Sequence, residues 1–269
     1  MACSYCVLQN HYDEATVAIP TILAAKLAEV PILPHKRYRI GTGEYSDSLL
    51  WGNKNNILQD LCDFARRHPN IVLELKTKSA NVTWLLENDI PKNVCCTWSL
   101  NPPVIITNEE HKTANLERRL EAARAVADKG IKVGFHFHPM FYFEGFEEAY
   151  QTLIEKVQSQ FTPAETLWVS LGCVTMLKGF TQDFRKKFQH SKLLQMETEF
   201  TPDGKITYAF AVREKLYRNA LNALEPWRGK VFQYLCMEHK PMWDAVMGYD
   251  YPNMAVFDDA FNEDVFAKL

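Results

Sequence analysis

The chain lacks an apolar run long enough to cross a membrane. Its longest nearly apolar stretch, Val17 to Ala25, is broken by Pro20 and falls short of the roughly 18 residues that a spanning helix needs. The opening, Met1 to Asn10, has no basic start followed by an apolar segment, so it does not read as a signal peptide. No charge dominates either: 30 Lys+Arg stand against 33 Asp+Glu, for a formal net charge of -3. Nucleic acid is a conceivable partner that this balance does not support, because broad phosphate-backbone binding needs a basic surface; a local groove remains compatible with it. The longest basic run is Arg185 to Lys187, expected to be a solvated helix end. Seven cysteines at irregular spacing form no disulfide framework and suit a reducing, cytoplasmic location. Linkers, repeats and low-complexity tracts are absent.

What is present is an ordinary globular composition, 47% hydrophobic and 23% charged over 269 residues, enough for one domain, 1–269, that buries roughly three quarters of its unfolded surface. Strand-like runs are expected at Arg37 to Gly41, Ile71 to Thr77, Val94 to Leu100, Ile131 to His138, Leu167 to Leu171 and Val231 to Cys236. Helical patterns fall at about Asn56 to Arg67, Ala80 to Glu87, Asn115 to Lys129, Glu147 to Gln158 and Thr181 to Phe188. In the third of these, Leu116, Leu120, Ala123 and Val126/Ala127 recur at helical spacing and Gly130 stands where a left-handed cap belongs. Strand followed by helix, repeated, predicts parallel strands with helical crossovers.

The fold class expected is therefore α/β: a partial TIM-like barrel, with a doubly wound sheet as the competing arrangement. Alternation inside the strands supports the barrel. Ile131, Val133, Phe135 and Phe137 share one face, which should meet helices, whereas Gly134, His136 and His138 share the other, which should face the lumen. The same parity places Glu44, Ser46, Lys78, Ser99 and Asn101 at the C-terminal ends of their strands, where barrel enzymes keep their chemistry.

The first residues hold Cys3-x-x-Cys6 with Tyr5 between the cysteines. Alone, such a pair fits a redox dithiol, half a metal site or chance equally well. The motifs that follow are more specific: GTGEYSDSL at Gly41 to Leu49, LKTKSANVTWLL at Leu75 to Leu86, WSLNP at Trp98 to Pro102, RLEAARAVADKGIKVGF at Arg119 to Phe135 and HPMFYFEGFEEAY at His138 to Tyr150. Together with CSYCVLQ they resemble the spore photoproduct lyase family of radical S-adenosylmethionine proteins, well over residues 3–157 and more loosely over 158–269.

The resemblance implies a 4Fe-4S cluster held by cysteine thiolates, Cys3 and Cys6 among them, and S-adenosylmethionine bound at its open iron. Reductive cleavage would then give a 5'-deoxyadenosyl radical that takes a hydrogen atom from a substrate. It also implies a cofactor pocket lined by Ser46, Lys78, Ser99, Asn101 and His138, Tyr5 beside the cluster loop, and a reductant such as ferredoxin or flavodoxin.

Two departures shape the expectation. The family motif has a further cysteine upstream of Cys3, at a position ahead of Met1, so the chain is expected to be an N-terminally truncated member lacking the first strand and first cluster cysteine, and to hold no stable cluster by itself. In addition, the lyases carry a hydrogen-donating cysteine where this chain has Glu44, and Val7 replaces a tyrosine. A carboxyl O–H cannot replace a thiol as hydrogen-atom donor, so the expected function is radical chemistry on an unknown substrate, with Glu44 and Tyr5 as candidate catalytic positions. Two other readings compete. His136-x-His138 with Glu44 and Lys78 could form a hydrolytic metal site, or the chain could be a cluster-less binding protein or inactive fragment. The bland alternatives are hydrogen-bonded lumen histidines and a Glu44–Lys78 ion pair.

Overall fold

The computed structural model describes residues 1–6, 8, 21–44, 46–189, 191–193 and 195–269. In chain order its strands are β1 (Ala2–Cys3), β2 (Tyr38–Thr42), β3 (Ile71–Thr77), β4 (Val94–Ser99), β5 (Glu110–His111), β6 (Lys132–Met140), β7 (Thr166–Cys173), β8 (Thr175–Leu177), β9 (Thr198–Phe200), β10 (Lys205–Tyr208) and β11 (Phe232–Leu235). The helices are α1 (Leu23–Ala28), α2 (Ile57–Arg67), α3 (Thr83–Glu87), α4 (Pro103–Glu109), α5 (Leu116–Asp128), α6 (Phe146–Gln160), α7 (Lys178–Lys187), α8 (Phe210–Ala223), α9 (Lys240–Met247) and α10 (Met254–Phe266).

Six strands form one parallel sheet in the order β2-β3-β4-β6-β7-β11. Laid flat, its edge strands would stand about 24 Å apart, at roughly 4.8 Å per neighbour. Yet Arg39 on β2 donates to the Tyr234 hydroxyl on β11 at 2.9 Å. The sheet must curl until its two edges face each other, which makes it an open half-barrel with a lumen.

The crossover helices seal the outside. On α5, Leu116, Leu120, Ala123, Val126 and Ala127 are all buried, each contributing about 1.5–3 kcal/mol where a large side chain leaves water. The helix starts at Asn115, whose side chain accepts from the Arg118 amide at 2.9 Å, and stops before Gly130 at φ 87°, the left-handed cap its sequence predicts. Val133, Phe135 and Phe137 are fully buried against this outer layer, and Phe135 meets Phe161 edge-on.

The inner surface is closed at the other end by α10, where Phe257 and Phe261 pack on Phe232 and Tyr234 and Phe261 also meets Trp168. This helix, together with α1, α4, α8, α9 and the small antiparallel sheet β8-β10-β9, is missing from the elements expected from periodicity. Its hydrophobic residues serve the lumen rather than a single outer stripe, so the one-face pattern that marks a crossover helix is weak. No helix among the described residues is long and apolar enough to cross a membrane.

Candidate active site

The lumen is built in tiers, because alternate residues of each strand point inward. The lower tier is a closed polar network. Glu74 on β3 accepts from Arg39 Nε at 3.0 Å and Nη2 at 2.8 Å, and from the Thr97 hydroxyl at 2.7 Å. Its other contact is His136 Nε2 at 2.6 Å, and His136 Nδ1 meets the Ser170 hydroxyl at 2.5 Å. Burial, with Lys76 nearby, pushes His136 down to about 4 against the pull of Glu74. Burial would raise Glu74, but His136 and Arg39 outweigh it and hold the carboxyl below its ordinary range. A neutral imidazole between a carboxylate and a hydroxyl carries its proton on Nε2 toward Glu74 and accepts from Ser170 on Nδ1.

These bonds decide the histidine motif. His136 is engaged on both nitrogens, and among the described residues no group of three or more His, Cys, Asp or Glu side chains is placed to hold a metal ion. The hydrolytic metal site expected from His136-x-His138 is therefore not formed by them. The Glu44–Lys78 pair is not formed either: Glu44 is exposed, and Lys78 lies 5.7 Å over the Tyr5 ring.

Around the mouth, the motif residues are assembled by two devices that sequence reasoning missed. Asp47 accepts from the amides of Leu49 and Leu50 at 3.1 and 2.8 Å, from the Thr77 hydroxyl at 2.8 Å and from the Lys78 amide at 2.7 Å. It thereby pins the loop of Glu44 and Ser46, both exposed, to the end of β3. An aspartate whose carboxylate accepts from the amides two and three residues on is the pattern of such a turn.

The second device is the fully buried pair Arg119–Glu110, at 2.6 Å. Arg119 also donates to the Ser99 carbonyl at 2.8 Å, to the Ala114 carbonyl at 2.8 Å and to the Thr113 hydroxyl at 2.7 Å. Glu110 in turn accepts from the Tyr5 hydroxyl and from Asn101 Nδ2, the latter at 3.0 Å. Burial opposes the charge on Glu110, yet Lys78 and Arg119 hold it below the ordinary carboxylate range. No local pattern marks an arginine in a helix as a core residue, and this one is concealed in RLEAARAV.

The cysteine loop rests on this buried pair. β1 pairs antiparallel with β5, aligning Cys3 with Glu110, and the Ser4 hydroxyl donates to Glu109. Tyr5 packs on Phe141 with ring centroids 5.1 Å apart, and burial pushes its phenol well above its ordinary range. Asn101, expected to line the cofactor pocket, is fully buried, and its amide joins Glu110 to the Tyr150 hydroxyl, which donates to Asn101 Oδ1 at 3.0 Å. It supports the loop from below.

Lys78 and Ser99 remain on the lumen side, as alternation from the bonded pair Glu74 and Thr97 requires. His138, two residues beyond His136, lies over Gly172, whose added Cβ would stand 2.7 Å from the ring. Val7 lies outside the described residues.

The fit to a cluster is incomplete. Cys3 is buried and Cys6 half-buried on the same loop; burial pushes Cys3 up to about 11, with Lys78 pulling the other way. The remaining cysteines, Cys62, Cys95, Cys96, Cys173 and Cys236, lie elsewhere in the chain, and among the described residues no third ligand joins the loop. Two thiols are fewer than the set of cysteines that fixes a 4Fe-4S cluster.

The chain is a curled parallel half-barrel with a two-cysteine loop at its mouth, the fold of the radical S-adenosylmethionine lyases that it matches. The family model described as "Spore photoproduct lyase" matches residues 2–208, and the chain belongs to the spore photoproduct lyase family. A spore photoproduct lyase from Clostridium acetobutylicum is 26% identical over 164 residues, which cover 59% of this chain and 48% of that protein; the chain thus spans about half the length of this relative. Among solved structures, a spore photoproduct lyase complexed with dinucleoside spore photoproduct superposes with a TM-score of 0.73 at 20% identity, covering 87% of this chain and 72% of that one. A mutant lyase with bound AdoMet and dinucleoside spore photoproduct gives 0.70 at 19% identity, with the same coverage. At these identities the superpositions speak for the fold.

Proposed function

We propose that the chain is a radical S-adenosylmethionine enzyme of the lyase type, acting on a dinucleoside lesion of the spore photoproduct kind. The observation that carries this reading is the mouth of the half-barrel, where Tyr5, Lys78 and Ser99 gather around the cysteine loop on the buried Arg119–Glu110 pair, in a chain matched by the family model over residues 2–208. A dinucleoside, as in the solved lyase complexes, replaces the unknown substrate expected from Glu44: the lumen needs no basic surface to admit a small, locally held lesion, so a net charge of -3 is no obstacle. The third cluster ligand does not come from the described residues.

When bound, the cofactors would supply the radical. The chain's residues would orient and enclose: Lys78 as a cation for the carboxylate of S-adenosylmethionine, Ser46, Ser99 and His138 as hydrogen-bonding groups, Tyr5 as a wall between the cysteine loop and Phe141, and Asn101 as a support. Glu44, exposed at the mouth, offers no hydrogen-atom donor, so substrate binding is expected to outrun completed repair. Ferredoxin or flavodoxin would be a suitable reductant.

The test is anaerobic reconstitution with iron and sulfide, followed by dithionite and S-adenosylmethionine. Release of 5'-deoxyadenosine should scale with the iron-sulfur cluster held. Cluster-loaded protein that releases none would overturn the reading, and Glu44→Cys should raise repaired product without raising 5'-deoxyadenosine.

A further inference from the structure

The second tier of the lumen carries a charge that the protein itself does not balance. Lys76 lies two residues beyond Glu74 on β3 and so shares its lumen face. It is largely enclosed, and among the described residues it makes no hydrogen bond or ion pair. Glu74, the nearest carboxylate on its own strand, is taken up by Arg39, His136 and Thr97.

The groups facing Lys76 offer no other counter-charge. Arg39 on β2 is neutralised by Glu74, and Lys78, just beyond β3, is a second cation. On β6, His136 and His138 are both held neutral, chiefly by burial. Just beyond β11 stands the half-buried Cys236, which burial keeps as a thiol and which also feels the field of Glu44 from the mouth. Gly41 on β2, which is exposed, leaves its inward place in this tier without a side chain, whereas the inward place of Gly172 on β7 is covered by the His138 ring. An enclosed ammonium without a partner is unfavourable, and burial pushes Lys76 down accordingly.

We propose that this tier is an oxyanion-binding subsite in which Lys76 receives one singly charged oxyanion of a bound molecule, beside Cys236 and over Gly41. The inference rests on the proposed function for the origin of that anion. The two sources compatible with it are the phosphodiester linking two nucleosides and the carboxylate of S-adenosylmethionine.

The experiment uses the full chain without a cluster, so its result is independent of 5'-deoxyadenosine release. Binding of thymidylyl-thymidine, thymidine, S-adenosylhomocysteine and inorganic phosphate is measured by calorimetry, alongside the rate at which N-ethylmaleimide labels Cys236, read by peptide mass spectrometry. Thymidylyl-thymidine, but not thymidine, should slow labelling of Cys236 at least tenfold at saturation, and Lys76→Gln should weaken its binding at least tenfold. If S-adenosylhomocysteine alone gives this Lys76-dependent protection, the oxyanion site stands with the carboxylate as its source, and if phosphate alone does, it stands for the phosphate group. Protection equal in Lys76→Gln and wild type, or no protection by any of the three anions, would overturn the proposal. Lys76→Met supplies a second readout: removing an unpaired enclosed charge should raise the melting temperature of the ligand-free chain by a few degrees, and a marked fall would show that Lys76 has a structural partner and end the proposal.

Discussion

The two tiers of the lumen are built from alternate residues of the same strands and their ends, yet they are in opposite electrostatic conditions. Below, Arg39, Glu74, Thr97, His136, Ser170 and Tyr234 satisfy one another through a connected set of hydrogen bonds. Above, Lys76, Ser99, His138 and Cys236 point into the same space with side chains that find no protein partner among the described residues. A buried polar network is stable only when complete, so the lower tier is a structural floor. Groups left unmatched in the upper tier are maintained at a cost in stability, the usual mark of a place where a ligand completes the set.

If that contrast is right, the largest losses come from the floor and from the pair beneath the cysteine loop. Glu74→Ala strands Arg39 and His136 and should cost about 3–5 kcal/mol in urea denaturation. Arg119→Met leaves Glu110 buried and unpaired, with a loss of about 3–5 kcal/mol. It should also speed alkylation of Cys3, because β1 hangs on β5 beside Glu110. A loss below 1 kcal/mol in either variant would remove the floor from the comparison.

Next in size is a pH dependence. His136 is held near pKa 4 in the folded chain and titrates near 6.5 when unfolded. Between those values the unfolded state binds more protons, so stability is fully present above about 6.5 and is lost as pH falls through about 4. The loss from this group is about 3 kcal/mol, followed by denaturation at stepped pH. His138 is depressed in the same direction and adds to the slope, and His136→Gln should flatten it in part.

Smaller still, Gly172→Ala forces the His138 ring aside, since the new Cβ would stand 2.7 Å from it. The cost should be about 1–3 kcal/mol, with weaker ligand binding in the upper tier. Glu44→Gln, at an exposed position, should change stability by less than about 0.5 kcal/mol. Iron analysis sharpens the boundary of the site: with two thiols on the loop, reconstitution of the 269-residue chain should give well under one 4Fe-4S cluster per chain, and Cys3→Ala should remove most of it.

Much of this architecture was legible. The strand Ile71–Thr77 was expected at its observed bounds, and five other strands within a few residues of theirs. The inward set followed from alternation, as with Val133, Phe135 and Phe137 outward and His136 inward. Other features were not legible, because their partners come from far along the chain. Glu74 reads as an ordinary strand carboxylate until His136, 62 residues away, meets it. Tyr234 reads as a late aromatic until Arg39, at a separation of 195, closes the sheet onto it. Asn101 lies at the end of β4 as its parity implies, but that parity says nothing about Tyr150 and Glu110, which hold its amide on either side.

Local sequence by itself determined the strand and helix alternation, the end of α5 at Gly130 and which residues lie at the strand ends, because backbone periodicity and capping are properties of neighbouring residues. Tertiary structure alone decided which of those polar residues are saturated and which are left open. Pairing depends on distance and desolvation in three dimensions, and Lys76 in β3 and Lys78 just beyond it differ in what the curled sheet brings opposite them.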